Sequence, residues 1–363
     1  MLLLILSFLS ALLYGAHAKL NANSTTNIAL YWGQNSYGES DGPLAQQRLS
    51  FYCADPNVDI MNLSFLLRVV GNEGHPELNF AAQGSENCTF GSDPNGDDLA
   101  FTNTFSCSQV AEDIKSCQQD HGTTILLSVG GATYSEGGFC TAEEAQAAAD
   151  NLWSTFGPLL PNATESQYRP FGTAALDGFD MDFESRFTQS VPFAQRLRDR
   201  MDAQTSVDGK PRYLTAAPQC PYPDASDDAM LNGPNGDGNG AVPFDAVFVQ
   251  YYNNYCGDQS FAKCTTEQPS FNFDTWDTWA SNTSANPRVK VLLGIPAGIT
   301  AAGSGYKSAR DLRFIFDYLK SFASFGGVAM FDASQANANG GFLPQVASGL
   351  NAVAAGQRKR DEL

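Results

Sequence analysis

Eight short runs of nearly continuous apolar residues punctuate the chain: 27–32 (NIALYW), 58–65 (VDIMNLSF), 123–130 (TTILLSVG), 175–183 (ALDGFDMDF), 213–218 (YLTAAP), 246–252 (AVFVQYY), 289–296 (VKVLLGIP) and 326–331 (GGVAMF). A strand with one wet face alternates apolar and polar residues, whereas one covered on both faces has no need to. The runs therefore read as strands of a parallel sheet. Parallel neighbours need crossover connections, and the intervening segments are long enough for helices. Two of them, 142–156 and 309–325, read as helices, the latter with apolar residues at helical spacing. Eight strand–helix units predict a single α/β domain of the (β/α)8 barrel type, rather than a doubly wound sheet or a β-sandwich. No Pro- or Ser-rich linker divides the chain and no internal repeat is visible. The long polar segment 71–107, with Cys88 and Cys107, reads as a tethered loop, and 232–241 (NGPNGDGNGA) as an exposed one.

Charge narrows the partners. With 39 acidic against 21 basic side chains, the formal net charge of −18 would repel nucleic acid and anionic membranes, and no Lys/Arg stripe compensates. A neutral substrate fits that balance. Only three histidines occur, His17, His75 and His121, and none stands in a metal-binding spacing. Neither a metal nor another cofactor is expected, and a nucleophilic triad lacks its GxSxG elbow.

The first residues address the chain to the secretory pathway. Residues 2–13 form an apolar run followed by Ala16-His17-Ala18, a small-x-small site, so 1–18 are expected to be a cleaved leader rather than a buried helix. No later segment is apolar for long enough to anchor the chain in a membrane. Eight cysteines without CxxC spacing then read as disulfides. Sequons at Asn23, Asn87, Asn162 and Asn282 are expected to carry glycans, whereas Asn62, inside a strand-like run, is expected to be unmodified. The domain is expected to span 19–355, with a charged tail over 356–363. That tail ends Arg360-Asp361-Glu362-Leu363, similar to the retrieval signals of the endoplasmic reticulum, although a frayed tail or cleavage after Lys359-Arg360 are alternatives to retention.

The densest chemistry lies in 176–184, Leu-Asp-Gly-Phe-Asp-Met-Asp-Phe-Glu. On a strand, alternate residues share a face, so Asp180, Asp182 and Glu184 line one side while Phe179, Met181 and Phe183 pack on the other. Successive carboxyls about 6–7 Å apart repel one another, which favours retention of a proton on at least one of them. A retained proton is what a general acid requires, and the last carboxyl of such a strand emerges at the barrel's C-terminal rim. A calcium site is the competing reading, but calcium loops present their acids in turns, not alternating with large apolar residues.

The spacing of Asp177, Asp180, Asp182 and Glu184 resembles the DxxDxDxE signature of glycoside hydrolase family 18. Four more segments are similar to its class III chitinase branch: 31–35 (YWGQN), 128–131 (SVGG), 217–221 (APQCP) and 250–254 (QYYNN). The resemblance implies a (β/α)8 barrel that hydrolyses β-1,4 linkages of N-acetylglucosamine polymers with retention. Family 18 is a substrate-assisted exception among glycosidases, in which the acetamido oxygen of the substrate is the nucleophile and an oxazolinium ion the intermediate. It implies Glu184 as acid and then base, Asp182 as the holder of the acetamido N–H, Asp180 sharing a proton with Asp182, and Tyr252 as a donor to the acetamido group. Asp177 would be a structural carboxylate. Tyr31, Gly131, Gln250, Asn253 and Phe331 would face the sugar, although Tyr31 and its neighbour Trp32 could equally be core.

The resemblance also implies disulfides Cys53–Cys117, Cys88–Cys107 and Cys220–Cys256, leaving Cys140 and Cys264 as a fourth pair or two free thiols. One position departs from the family pattern: the last strand usually ends in Trp beneath the sugar, where this chain has Phe331, with less stacking area and no indole N–H. The implied partner is chitin or its oligomers, and the protein is expected to act as a monomer. The rivals are a chitinase-like lectin, which would bind without cutting, and an endo-β-N-acetylglucosaminidase acting on N-glycans.

Overall fold

Each apolar run forms a strand. The computed structural model describes residues 20–71, 74–80, 88, 106–159 and 168–361. Its strands are β1 (Asn27–Trp32), β2 (Ile60–Arg68), β3 (Glu77–Leu78), β4 (Thr124–Gly130), β5 (Gly178–Asp182), β6 (Tyr213–Ala216), β7 (Ala246–Gln250), β8 (Lys290–Pro296) and β9 (Phe325–Phe331). All but β3 pair in parallel, in the order β1-β9-β8-β7-β6-β5-β4-β2, and β1 pairs with β2 to close the ring. The result is a (β/α)8 barrel. The small strand β3 adds an antiparallel edge to β2 within 71–107, so that segment is not purely a loop.

Helices cover the outside: α1 (Leu49–Cys53), α2 (Ser108–Asp120), α3 (Ala142–Phe156), α4 (Ser190–Asp208), α5 (Asp228–Asn232), α6 (Phe273–Asn282), α7 (Ala309–Leu319), α8 (Ala333–Ala338) and α9 (Phe342–Asp361). The start of α3 is fixed by a capping box in which Thr141 and Glu144 satisfy each other's backbone N–H groups. α7, capped by Ser308, ends at Leu319, six residues short of the expected limit. Its apolar spacing continues through Phe322, but that ring packs on Tyr318 and Phe273 from a turn, and Phe325 already begins β9. α9 continues into 356–361, so the charged end of the chain begins as the last turns of a helix.

Alternation along the strands separates two cores. Outward residues such as Phe179, Met181, Val247, Val249 and Leu293 pack against the helices in one large cluster. Inward residues, including Ala29, Ile60, Leu126, Ala246, Phe248, Leu292 and Ala329, fill the barrel, and Leu20 joins them by donating its N–H to Thr124 Oγ1. Near-continuous apolar strands are thus explained by burial on both faces. No helix among the described residues is long and apolar enough to cross a membrane. Asn62 is fully buried on β2, while Asn23 and Asn282 are exposed. Asn87, Asn162 and residues 1–18 lie outside the described residues, as do Glu362 and Leu363.

Three disulfides join Cys53 to Cys117, Cys88 to Cys107 and Cys220 to Cys256. Cys140 and Cys264 are free and exposed, which decides between the two alternatives left open for them.

Candidate active site

β5 carries its acids into the barrel and out at the C-terminal rim. Asp180 is fully buried, and three hydroxyls converge on it: Tyr31 Oη at 2.9 Å, Ser128 Oγ at 2.8 Å and Thr215 Oγ1 at 2.6 Å. They come from β1, β4 and β6, the strands across and beside it. Burial raises its carboxyl, and the three donors oppose that rise by stabilising the anion. Asp182, two residues on, accepts one hydrogen bond, from Gln250 Nε2 at 3.0 Å. Burial, and then the charges of Glu184, Asp180 and Asp224, hold it well above the usual carboxylate range. Asp182 is thus pushed up further than Asp180, whose three hydroxyl donors favour its anion. Each of the two carboxyls is hydrogen-bonded to its own neighbours, three hydroxyl donors on Asp180 and one amide donor on Asp182.

Glu184 lies just past the end of β5, accessible from the cleft mouth. The protein around its base, and then the charge of Asp224, raise its carboxyl. Tyr252 follows β7, and burial with the charges of Asp182, Glu184 and Asp180 keeps its phenol neutral and able to donate. These groups share a cleft of about 250 Å³ whose lining also includes Tyr31, Gln219, Gln250, Asn253, Asn254 and Phe331. Phe331 packs at 6.1 Å from Tyr31, so the two rings form an apolar shelf beside the carboxyls. Trp32 points the other way, fully buried in the outer core with its Nε1–H on the Gln47 carbonyl.

The remaining expected residues take different parts. Asn253, with φ 57°, accepts the N–H groups of Gly303 and Ser304 through Oδ1, tying the loop after β7 to the loop after β8. Gly131 stands beside the cleft rather than on its lining. Its N–H donates to the Asp182 carbonyl at 2.7 Å, its φ is 79°, and an added Cβ would lie 2.9 Å from the Phe65 ring. It holds the end of β4 against β5, and Ala132 is the neighbour that reaches the cleft. Asp177 sits at the barrel's opposite end, accepting the Ile125 N–H at 2.8 Å and Gln118 Nε2 at 2.9 Å. Burial raises it to about 6, opposed by those donors and by Arg212 and Lys210.

Two residues were not foreseen. Asp224, in the segment after β6, accepts backbone N–H groups from Gln219, Ser226 and Asp227 at 3.1, 2.8 and 2.8 Å. Asp227 is fully buried, and neither of its carboxyl oxygens has a hydrogen-bond partner. They lie in a turn-rich stretch without strand periodicity, and the disulfide from Cys220 to Cys256 pins that stretch near the β7 loop. The only sequence signal was their position just after the APQCP segment.

Carboxyls with raised proton affinity, a neutral phenol and an apolar shelf beneath the mouth of a barrel define a glycosidase-type site. The chain matches Glycosyl hydrolases family 18 over residues 27–336 and belongs to that family. It is 44% identical over 337 residues to a class III chitinase of Arthroderma benhamiae, covering 93% of this chain and 89% of that protein. It is 42% identical over 345 residues to Endochitinase 33 of Trichoderma harzianum, covering 95% and 98%. Among solved structures it resembles the xylanase and α-amylase inhibitor protein XAIP-II of Scadoxus multiflorus, with TM-score 0.66 and 27% identity over 89% of this chain and 98% of that one. One barrel thus serves a named inhibitor as well as named enzymes, and function has to be argued from the site.

Proposed function

We propose that this protein is an endo-acting chitinase that cleaves β-1,4 linkages between N-acetylglucosamine residues with retention, through an oxazolinium intermediate formed by the substrate's own acetamido group. The observation that carries this reading is the placement of Asp182 at the end of β5 and Glu184 two residues beyond it in the same cleft, both with raised proton affinity, beside a neutral Tyr252. Two carboxyls so placed approach the sugar from the same side. While Glu184 protonates the leaving oxygen, Asp182 is badly placed to attack the anomeric carbon from the opposite face, but an acetamido oxygen is held within reach of it. Asp182 accepts the acetamido N–H, and the charge that balances the positive ring is the one Asp182 and Asp180 share behind it. Tyr252 donates to the acetamido carbonyl oxygen, and Phe331 with Tyr31 supplies the face on which the sugar lies. Glu184, now ionised, takes a proton from the water that opens the ring.

The lectin reading has less support, because an unused acid would not require this arrangement. Assay of the purified protein on chitin oligomers and on a high-mannose glycoprotein separates chitinase, lectin and endo-β-N-acetylglucosaminidase. Turnover of the oligomers, abolished in Glu184→Gln, is the expected result; turnover of the glycoprotein alone would overturn the reading.

Three disulfides and the family relatives suit an extracellular protein. We propose cleavage of the leader after Ala18, glycans on Asn23, Asn87, Asn162 and Asn282, and action as a monomer. Deleting 360–363 and measuring the secreted fraction decides whether the RDEL end retains the protein.

A further inference from the structure

Among the described residues, four with amide side chains line the cleft, Gln219, Gln250, Asn253 and Asn254, and their hydrogen bonds sort them. Gln250 uses its Nε2 on Asp182 Oδ1 at 3.0 Å and on the Ala217 carbonyl at 2.9 Å, which leaves only its oxygen. Asn253 uses its oxygen on the N–H groups of Gly303 and Ser304. Gln219, after β6, and Asn254, after β7, are joined to each other. Asn254 Nδ2 donates to Gln219 Oε1 at 3.0 Å and to the Tyr252 carbonyl at 3.3 Å. A carbonyl can only accept, so the Tyr252 contact fixes which end of the Asn254 amide is the nitrogen, and Asn254 in turn fixes Gln219. What remains is one donor, Gln219 Nε2, and one acceptor, Asn254 Oδ1, on two neighbouring amides. Neither atom has a partner among the described residues.

We propose, resting on the chitinase reading, that Gln219 and Asn254 form a recognition edge for a second acetamido group, that of the sugar on the leaving side of the bond that is cut. An acetamido group offers one N–H and one carbonyl oxygen. Asn254 Oδ1 accepts the first and Gln219 Nε2 donates to the second, so edge and group match donor for acceptor. A deacetylated sugar has no carbonyl and leaves the Gln219 donor unpaired. The acids of the cleft attract its ammonium, so a preference for the acetylated sugar has to come from groups of this kind. The acetamido group of the attacked sugar is already committed to Asp182 and Tyr252. Strand order gives the side: the apolar shelf comes from β1 and β9, whereas Glu184 follows β5 and the amide pair follows β6 and β7, across the barrel mouth. The sugar on the Glu184 side of the shelf is the one released with the protonated oxygen. The edge is held in place. Gln219 N–H donates to Asp224 at 3.1 Å, the Asn254 carbonyl accepts from Gly257 N–H at 3.1 Å, and the Cys220–Cys256 disulfide ties the two segments together. A pair fixed in this way loses little freedom on binding.

Hydrolysis of a partly deacetylated chitin chain tests this, because each cut leaves two new ends. The new reducing end is the sugar that was attacked, and the new non-reducing end is the sugar from the leaving side. Both are read by NMR and mass spectrometry of the products. In the wild type both should be N-acetylglucosamine in excess of its share of the chain. Gln219→Ala should lower the preference for the acetylated sugar at the new non-reducing end by about tenfold, the effect of one hydrogen bond, and should leave the new reducing end acetylated. Gln219→Glu keeps the acceptor for Asn254 and loses the donor. It should lower the preference further, since its carboxylate attracts the ammonium, and it serves if Gln219→Ala does not fold. Wild-type non-reducing ends that mirror the composition of the chain, or folded Gln219 variants with the wild-type preference, overturn the proposal. Deacetylated new reducing ends, or no turnover at all, would count against the chitinase reading itself, and the recognition edge would fall with it.

Discussion

β5 and its approach hold acids at both ends of the barrel, and the two ends treat the same functional group in opposite ways. At the start of the strand, Asp177 accepts a backbone N–H and an amide, and Arg212 and Lys210 favour its charge. At the far end, Asp182 and Glu184 face other acids and a phenol, and every neighbouring charge favours their protons. Asp177 joins α2 and β4 to the strand it precedes. Asp182 accepts a single amide, and Glu184 lies beyond the end of the strand at the cleft. Burial raises all three, so what distinguishes the two ends is the sign of the surrounding charge.

The sharpest way to break this contrast is to remove one acid from each end. Glu184→Gln should reduce kcat on chitin oligomers by about a thousandfold, within the range of general-acid catalysis, whereas Asp177→Asn should leave kcat and the pH profile unchanged. Equal losses in steady-state kinetics would mean that the ends are not different. Asp180→Asn comes next. It removes the anchored charge behind Asp182, and a loss of about a hundredfold in kcat with little change in KM would mark it as acting after binding. Replacing Cys220 and Cys256 together by Ala should cost roughly 2–4 kcal/mol by denaturant unfolding and should also lower kcat, since that bond ties the segment of Asp224 to the loop of Tyr252. Loss of Cys53–Cys117, which joins α1 to α2, should cost stability only. Phe331→Trp should lower KM severalfold by enlarging the stacking face, an effect of about 1 kcal/mol; an unchanged KM would mean that the ring is not under the sugar.

The smallest effect is on stability against pH. The folded protein raises Asp177 to about 6, above the unfolded carboxylate value. Such a group favours the folded state most at low pH, and that contribution is lost as pH rises through about 6. Thermal melts of Asp177→Asn should therefore fall less steeply between pH 4 and 7 than those of the wild type; parallel curves would show that Asp177 is not shifted.

Much of this contrast is legible in the sequence. The strand runs announce themselves because a barrel strand is buried on both faces, and α3 because Thr141 and Glu144 cap it. The end of α7 is not legible, because the apolar spacing of Phe322 and Phe325 continues a helical pattern while the chain has already turned toward β9. Asp180, Asp182 and Glu184 can be read together because the first two sit on one strand, where spacing in sequence is spacing in space, and Glu184 follows directly on its end. Gly131 cannot be sorted from a binding residue that way; its part depends on the Phe65 ring and the Asp182 carbonyl, which only the closed barrel brings to it. Asp224 and Asp227 are hidden for the same reason. Their neighbours are set by the pairing of β6 with β7 and by a disulfide 36 residues long, and nothing in the local pattern marks one as anchored and the other as unpartnered.

The central claim is that the acids of β5 act on one side of the sugar while the substrate's acetamido oxygen attacks from the other. Hydrolysis of an N-acetylglucosamine hexamer, followed by NMR or rapid chromatography of the anomer formed first, tests it directly. Two displacements at the anomeric carbon predict that the β-anomer appears first and then equilibrates. Initial release of the α-anomer would mean direct attack by water, and would contradict the account.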